Sequence, residues 1–189
     1  GKENVPTHLG HAVSNDLIHW KHLPVALSSD VQPADTVCNL ILSGHVIIDQ
    51  ENLLGLEQGG NKTFVLFYTG NYCGQLMAYS TDRGKTWQKY GNNPLISYDA
   101  GQETRHPRVF WHKPTGKWVM VMYRKLENDS RKQGFSFYNS ADLVHWEYQS
   151  HLAGFYENPL LLELQVNNRA DDTRWVILEA KGKPQGPRM

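Results

Sequence analysis

Residues 101–112 read GQETRHPRVFWH and bring Glu103, Arg105, His106 and Arg108 together just ahead of the apolar run Val109-Phe110-Trp111. A carboxylate beside an imidazole is the usual equipment for proton transfer. The same two groups also ligate metals. The third possibility is plain: a solvated polar lead-in to a strand. Residue types alone leave a catalytic corner, a metal site and a lead-in all open. Elsewhere, His8 and His11 could begin a short metal pair, but nothing nearby supplies the remaining ligands. The nine histidines as a set show no recognisable ligand spacing, so no metal and no cofactor is expected.

Which reading holds depends on the elements that carry the cluster. The 189 residues suffice for one domain with a real core, and 40% are hydrophobic and 20% charged, as in ordinary globular proteins. Nineteen basic residues balance nineteen acidic ones, so electrostatics give no case for nucleic acid or an anionic membrane as partner. No apolar run approaches the ~20 residues of a spanning helix. Six Trp and nine Tyr suit a β protein that stacks sugar rings on aromatic faces. Cys38 and Cys73 allow one disulfide or two buried thiols. Asn61-Lys62-Thr63 and Asn128-Asp129-Ser130 are glycosylation sequons in predicted hairpin loops, which fits a secreted or extracellular protein. The chain opens on GKENVPTH without Met, which reads as a cut or processed N-terminus.

Three stretches repeat: VSNDLIHWKHL (13–23), YSTDRGKTWQKY (79–90) and NSADLVHWEYQ (139–149). Each holds Ser-x-Asp and then Trp, and the aspartates fall at 16, 82 and 142. The Ser and Asp oxygens can accept backbone N–H groups in a tight turn. The Trp is then expected to plug apolar area between units, with a partner for its indole N–H. His19 and His145 recur at the same place before Trp, and that duplication points to structure rather than catalysis.

Between the repeats, runs rich in β-branched and aromatic residues predict strands over 40–49, 63–70, 75–80 and 86–90, then 107–112, 117–123, 134–140 and 145–149. Two more are predicted over 159–164 and 174–180, and no long amphipathic helix is evident. Four antiparallel strands per unit at a fixed period predict an all-β fold, a β-propeller. At roughly 60 residues per blade the chain holds about three blades, whereas propellers close with about four to eight. Residues 1–189 are therefore expected to be part of one propeller domain, without the start of its first blade and without its last blades. Exposed strand edges would make such a piece marginal or aggregation-prone by itself. The first strand of each blade lines the channel, so the starts LSGH (42–45), TRHP (104–107) and YENP (156–159) share one phase and can converge.

In this order and spacing the sequence resembles glycoside hydrolase family 32, the invertase, inulinase and levanase group of β-fructofuranosidases. LGHAVSNDLIHWKHLPVAL is similar to the family's Trp-Gly-His-Ala-x-Ser-x-Asp-Leu-x-His-Trp stretch, and LSGHVIID to its Phe-Ser-Gly-Ser-Ala-Val-x-Asp. FYTG matches outright, TRHPRVFW resembles Phe-Arg-Asp-Pro-Lys-Val-Phe-Trp, and YENPLLLEL resembles a Glu-Cys-Pro-Asp-Leu stretch. The resemblance implies a five-bladed propeller and retaining hydrolysis of terminal fructosyl bonds in sucrose or fructans, with two carboxylates. It implies Glu157 as acid/base, its pKa raised by a neighbouring carboxylate and partial burial. It implies Arg105 on substrate hydroxyls, with Leu42 and Ser43 bordering the fructosyl pocket. His106 stands where the family keeps the aspartate that stabilises the transition state. His45, Asn158 and Leu160 depart from the pattern as well, and the Asn-Asp-Pro-Asn-type motif of the nucleophile is not found. A histidine supplies no fixed negative charge beside an oxocarbenium-like transition state, so the chain as it stands is expected to be impaired or inactive.

Two alternatives remain. One is a non-catalytic relative that binds fructosyl sugars or serves structurally. The other is a sialidase-like propeller, because STDRGKTW (80–87) fits an Asp-box; the other two repeats, however, carry DLIHW and DLVHW.

Overall fold

The computed structural model describes residues 7–29, 40–100 and 102–180. β1 (Leu9–Val13) and β2 (Lys21–Leu27) form an antiparallel hairpin. β3 (Ile41–Asp49), β4 (Thr63–Gly70), β5 (Gly74–Ser80) and β6 (Gln88–Lys89) form a meander, with β7 (Ile96–Ser97) also paired to β5. β8 (Glu103–His112), β9 (Lys117–Lys125), β10 (Gln133–Ser140) and β11 (Glu147–Ala153) form a second four-stranded meander. β12 (Leu160–Val166) and β13 (Arg169–Leu178) form a closing hairpin. The predicted strands are all present. The initial hairpin and β7 are additions, and β8 begins four residues before the predicted start. The described helix consists of short 3-10 turns only. This is the blade pattern of a β-propeller: two complete blades between two hairpins.

The repeated Ser-x-Asp turns join the outer strands, and all three are built alike. Ser14, Ser80 and Ser140 Oγ accept the backbone N–H groups of Asp16, Asp82 and Asp142. Each aspartate Oδ1 then accepts two further amides, those of Ile18 and His19, Lys85 and Thr86, and Val144 and His145. His19 and His145 close their turns through Nδ1, 2.7 and 2.6 Å from the carboxylate. In the middle repeat Thr86 Oγ1 donates to the other carboxylate oxygen, Asp82 Oδ2, at 2.7 Å. The Asp-box spelling is thus a local variant of one turn. Trp20, Trp87 and Trp146 each donate Nε1–H to the carbonyl three residues back.

Burial would raise the pKa of Asp142, but hydrogen bonds from His145, Val144 and Ser140 outweigh it and hold the carboxyl at about 2, below its ordinary 3.8. A depressed folded pKa contributes stability above the unfolded pKa and loses it as pH falls through the folded one. Between pH 4 and 2 the denaturant midpoint is therefore expected to fall less in Asp142→Asn than in the native protein. The carboxylate is 46% exposed, so solvent screening limits the difference to about 1 kcal/mol. An equal pH dependence in both proteins overturns this.

Blade faces pack on one another. Val65, Phe67 and Met77 of the first complete blade meet Val109, Met120, Met122, Tyr138 and Leu143 of the second. Trp146 sits edge-on to Phe67, with centroids 5.6 Å apart, as expected for an inter-unit plug. Trp87 packs on the cluster that joins Leu27 of β2 to Leu66 and Tyr68 of β4. Trp20 is 54% exposed. Cys73, between β4 and β5, is disulfide-bonded; Cys38 lies outside the described residues. Asn61 falls between β3 and β4 and Asn128 in a 3-10 turn after β9, both in strand connections as predicted.

Candidate active site

The chemistry gathers where the three strand starts meet. β8 is irregular there: its register against β9 shifts between Arg105 and Arg108, so His106 and Pro107 leave the ladder. Such a bulge re-aims side chains and frees backbone groups. His106 has φ of 60°, a left-handed conformation that non-glycine residues seldom hold. β3 of the neighbouring blade supplies the missing partners. Ser43 Oγ accepts His106 N–H at 3.1 Å, and His45 Nδ1 accepts Val109 N–H at 3.2 Å. Burial, and then the Arg108 guanidinium, push the His45 pKa down, which keeps the ring neutral and Nδ1 free to accept. Between them stands Gly44, where a Cβ would lie 2.7 Å from Leu66 Cδ1 and 2.9 Å from the Phe67 carbonyl oxygen. Only a glycine lets β3 pack this closely on β4 while presenting Ser43 and His45 to β8.

From the other side comes the bend before β12, where Glu157 and Asn158 have φ of 54° and 24°. Three adjacent positive φ values at one spot are the kind of strain that functional sites hold. Glu157 accepts from Arg105 Nε at 3.0 Å at both carboxylate oxygens and from Arg105 Nη2. His106 Nε2 is 2.7 Å from Glu157 Oε2. Arg105 also donates Nη1–H to Glu103 at 2.9 Å, and its guanidinium lies 4.6 Å from the centre of the Tyr123 ring. Arg108 donates to Asn158 Oδ1 at 3.1 Å.

Arg105 and His106 therefore meet on Glu157, each roughly a quarter exposed, and Ser43 joins the cluster through the His106 amide. Leu42 stands beside Ser43 on β3 and is 42% exposed. The expected rise in the Glu157 pKa is reversed. Burial raises it, but the Arg105 ion pair and the His106 hydrogen bond outweigh burial and hold the carboxyl below its usual value. Of the two lowering groups Arg105 is the larger, and the histidine at 106 adds to it. Arg105 is correspondingly pushed up, first by its hydrogen bonds to Glu157. The cluster can hold hydroxyls and carry one acid or base. Among the described residues no group of three His, Cys, Asp or Glu side chains gathers at metal-binding range; His8 Nδ1 instead accepts the Ser29 amide at 3.1 Å.

Sequence reading missed Tyr123, the floor under Arg105, and Glu179, which accepts Tyr156 N–H at 2.6 Å. Tyr123 is 1% exposed, and burial pushes its phenol up to about 12. A lone tyrosine at a strand end carries no signal of this kind. Glu179 becomes visible only once the β12–β13 register is known.

Residues 1–186 match the family model described as the glycosyl hydrolases family 32 N-terminal domain. The chain is 36% identical over 187 residues to a levanase of Bacillus subtilis, covering 94% of this chain and 26% of that protein. It is 34% identical over 194 residues to an extracellular exo-inulinase of Meyerozyma guilliermondii, covering 96% and 35% respectively. The solved β-fructofuranosidase of Schwanniomyces occidentalis, complexed with fructosyl-erythritol, superposes with a TM-score of 0.74 at 30% identity, over 91% of this chain and 33% of that one. The chain thus spans about a quarter to a third of the length of the relatives it matches.

Proposed function

The chain belongs to glycosyl hydrolase family 32, matching its N-terminal domain, and from that premise we propose that it carries the acid/base side of a β-fructofuranosidase site for terminal fructosyl units. The carrying observation is the convergence of Arg105 and His106 on Glu157, with Ser43 of the neighbouring blade holding the His106 backbone, so that three successive blades build one cluster. In the retaining reaction a carboxylate attacks the anomeric carbon while a carboxylic acid protonates the leaving oxygen, then as carboxylate takes a proton from water. Glu157 fills the second role. Arg105, fixed on Tyr123, orients sugar hydroxyls, and Leu42 and Ser43 border the fructosyl ring. The nucleophile is assigned to no residue of this chain. We place the chain within a larger propeller domain and in a secreted protein. Its relative from Meyerozyma guilliermondii is named as extracellular, and among the described residues no helix is long and apolar enough to cross a membrane. The substrate is a small carbohydrate, sucrose or a fructan.

His106 tunes this site downward. With Arg105, the larger influence, it keeps the Glu157 pKa below its usual value when the first step needs the acid form, and it puts no negative charge beside the developing oxocarbenium ion. A second reading follows from the same contact, a fructoside-binding domain with little turnover. The test is His106→Asp in the full-length protein, with fructose released from sucrose, inulin and levan as the readout. The aspartate raises the Glu157 pKa and restores charge, so the rate is expected to rise at least about tenfold. Fructose binding without release in both forms establishes the second reading. Neither binding nor release overturns both.

A further inference from the structure

Glu179 has no part in the proposed chemistry, yet its carboxylate reaches the bend that carries Glu157. Leu160 pairs with Leu178 at the end of the β12–β13 ladder, so the next pair would be Pro159 with Glu179. Pro159 has no N–H to offer, and the ladder stops there. The chain before it turns through Glu157 and Asn158 with positive φ, which leaves the Tyr156 amide without a strand partner. Glu179 Oε2 accepts that amide at 2.6 Å. The Tyr156 side chain is held as well: its ring meets Tyr123 edge-on at 5.5 Å, and Tyr123 carries Arg105. The residue before Glu157 is thus fixed at its backbone by Glu179 and at its ring by the support of Arg105, the partner of Glu157.

We infer that Glu179 is a positioning residue that sets the strained bend from which Glu157 projects. It acts through the Tyr156 amide and touches no substrate. The inference rests on reading Glu157 as the acid/base. A displacement of about 1 Å at a catalytic group costs up to roughly 10²-fold in rate, so the expected loss falls on kcat rather than KM.

Two variants of the full-length protein separate the acceptor from the charge. Glu179→Gln keeps a carbonyl oxygen for the Tyr156 amide. It is expected to retain kcat within about threefold and to keep that amide protected from hydrogen exchange. Glu179→Ala removes the acceptor. It is expected to lose Tyr156 protection and to lower kcat about 10- to 100-fold with KM within about twofold. Protection of Tyr156 that is unchanged in Glu179→Ala overturns the inference, as does a Gln variant as impaired as the Ala variant. Hydrogen exchange needs no turnover. A protein that releases no fructose therefore counts against the reading of Glu157, while the Tyr156 amide still decides the role of Glu179.

Discussion

Glu157→Gln is expected to lower fructose release by about 10²- to 10⁴-fold, the usual contribution of a positioned acid/base. Glutamine keeps the shape of the side chain and one oxygen for Arg105 and His106, but it can neither give nor take the proton. The loss belongs in kcat, because Arg105, Ser43 and the pocket border remain to bind sugar. Arg105 keeps two supports after the change, Glu103 at 2.9 Å and the Tyr123 ring at 4.6 Å. The ion pair it loses is only about one-fifth exposed on each side, and breaking a largely buried pair costs stability too, so the rate is compared at temperatures where the variant stays folded. In the native protein Glu157 lies below its usual pKa, and the acid form it must supply grows as pH falls. The Gln variant has no such group, and acid should not rescue it. A variant within tenfold of the native rate places the acid/base elsewhere. So does one whose rate still climbs with acid as the native rate does.

The fold was legible because the forces that build it leave local marks. Alternating β-branched and aromatic residues marked the strands, and Ser-x-Asp with Trp marked the turns because their oxygens and indole close hydrogen bonds within a few residues. The site was legible only in its membership. Glu103 to His106 read as the polar entry to a channel-lining strand predicted from 107, since charged residues and a proline break a strand pattern. In the structure β8 starts at Glu103, because Ser43 and His45 of the next blade satisfy the amides that the bulge releases. Partners 63 and 64 residues away leave no trace in the local sequence. The direction of the Glu157 pKa was misjudged for the same reason. Family pattern implies a neighbouring carboxylate, whereas the groups that decide the direction are the Arg105 guanidinium first and then an imidazole at 2.7 Å.

That dependence on a neighbouring blade makes the inter-blade core part of the site, and Phe67→Ala tests it. Phe67 is fully buried, packs edge-on to Trp146, and lies opposite His45 in the β3–β4 register. Removing the ring leaves a cavity between the blades, and the expected cost is about 3–5 kcal/mol in the full-length protein. Phe67→Leu, which refills most of the space, should cost roughly 1.5 kcal/mol or less. The cavity opens behind the strand from which Ser43 and His45 hold the bulge of β8. Fructose release should therefore fall in Phe67→Ala even at temperatures where the protein stays folded, and fall far less in the Leu variant. Trp146→Ala removes the other half of the contact, and the double variant should show a coupling of about 1 kcal/mol. Strict additivity would mean that the rings do not seal the blades together. A Phe67→Ala protein that is destabilised yet fully active would mean that the site holds its geometry without the core behind it. If both losses appear together, His106 and Glu157 owe their strained conformations to packing between blades, and the acid/base is only as well placed as the seam beneath it.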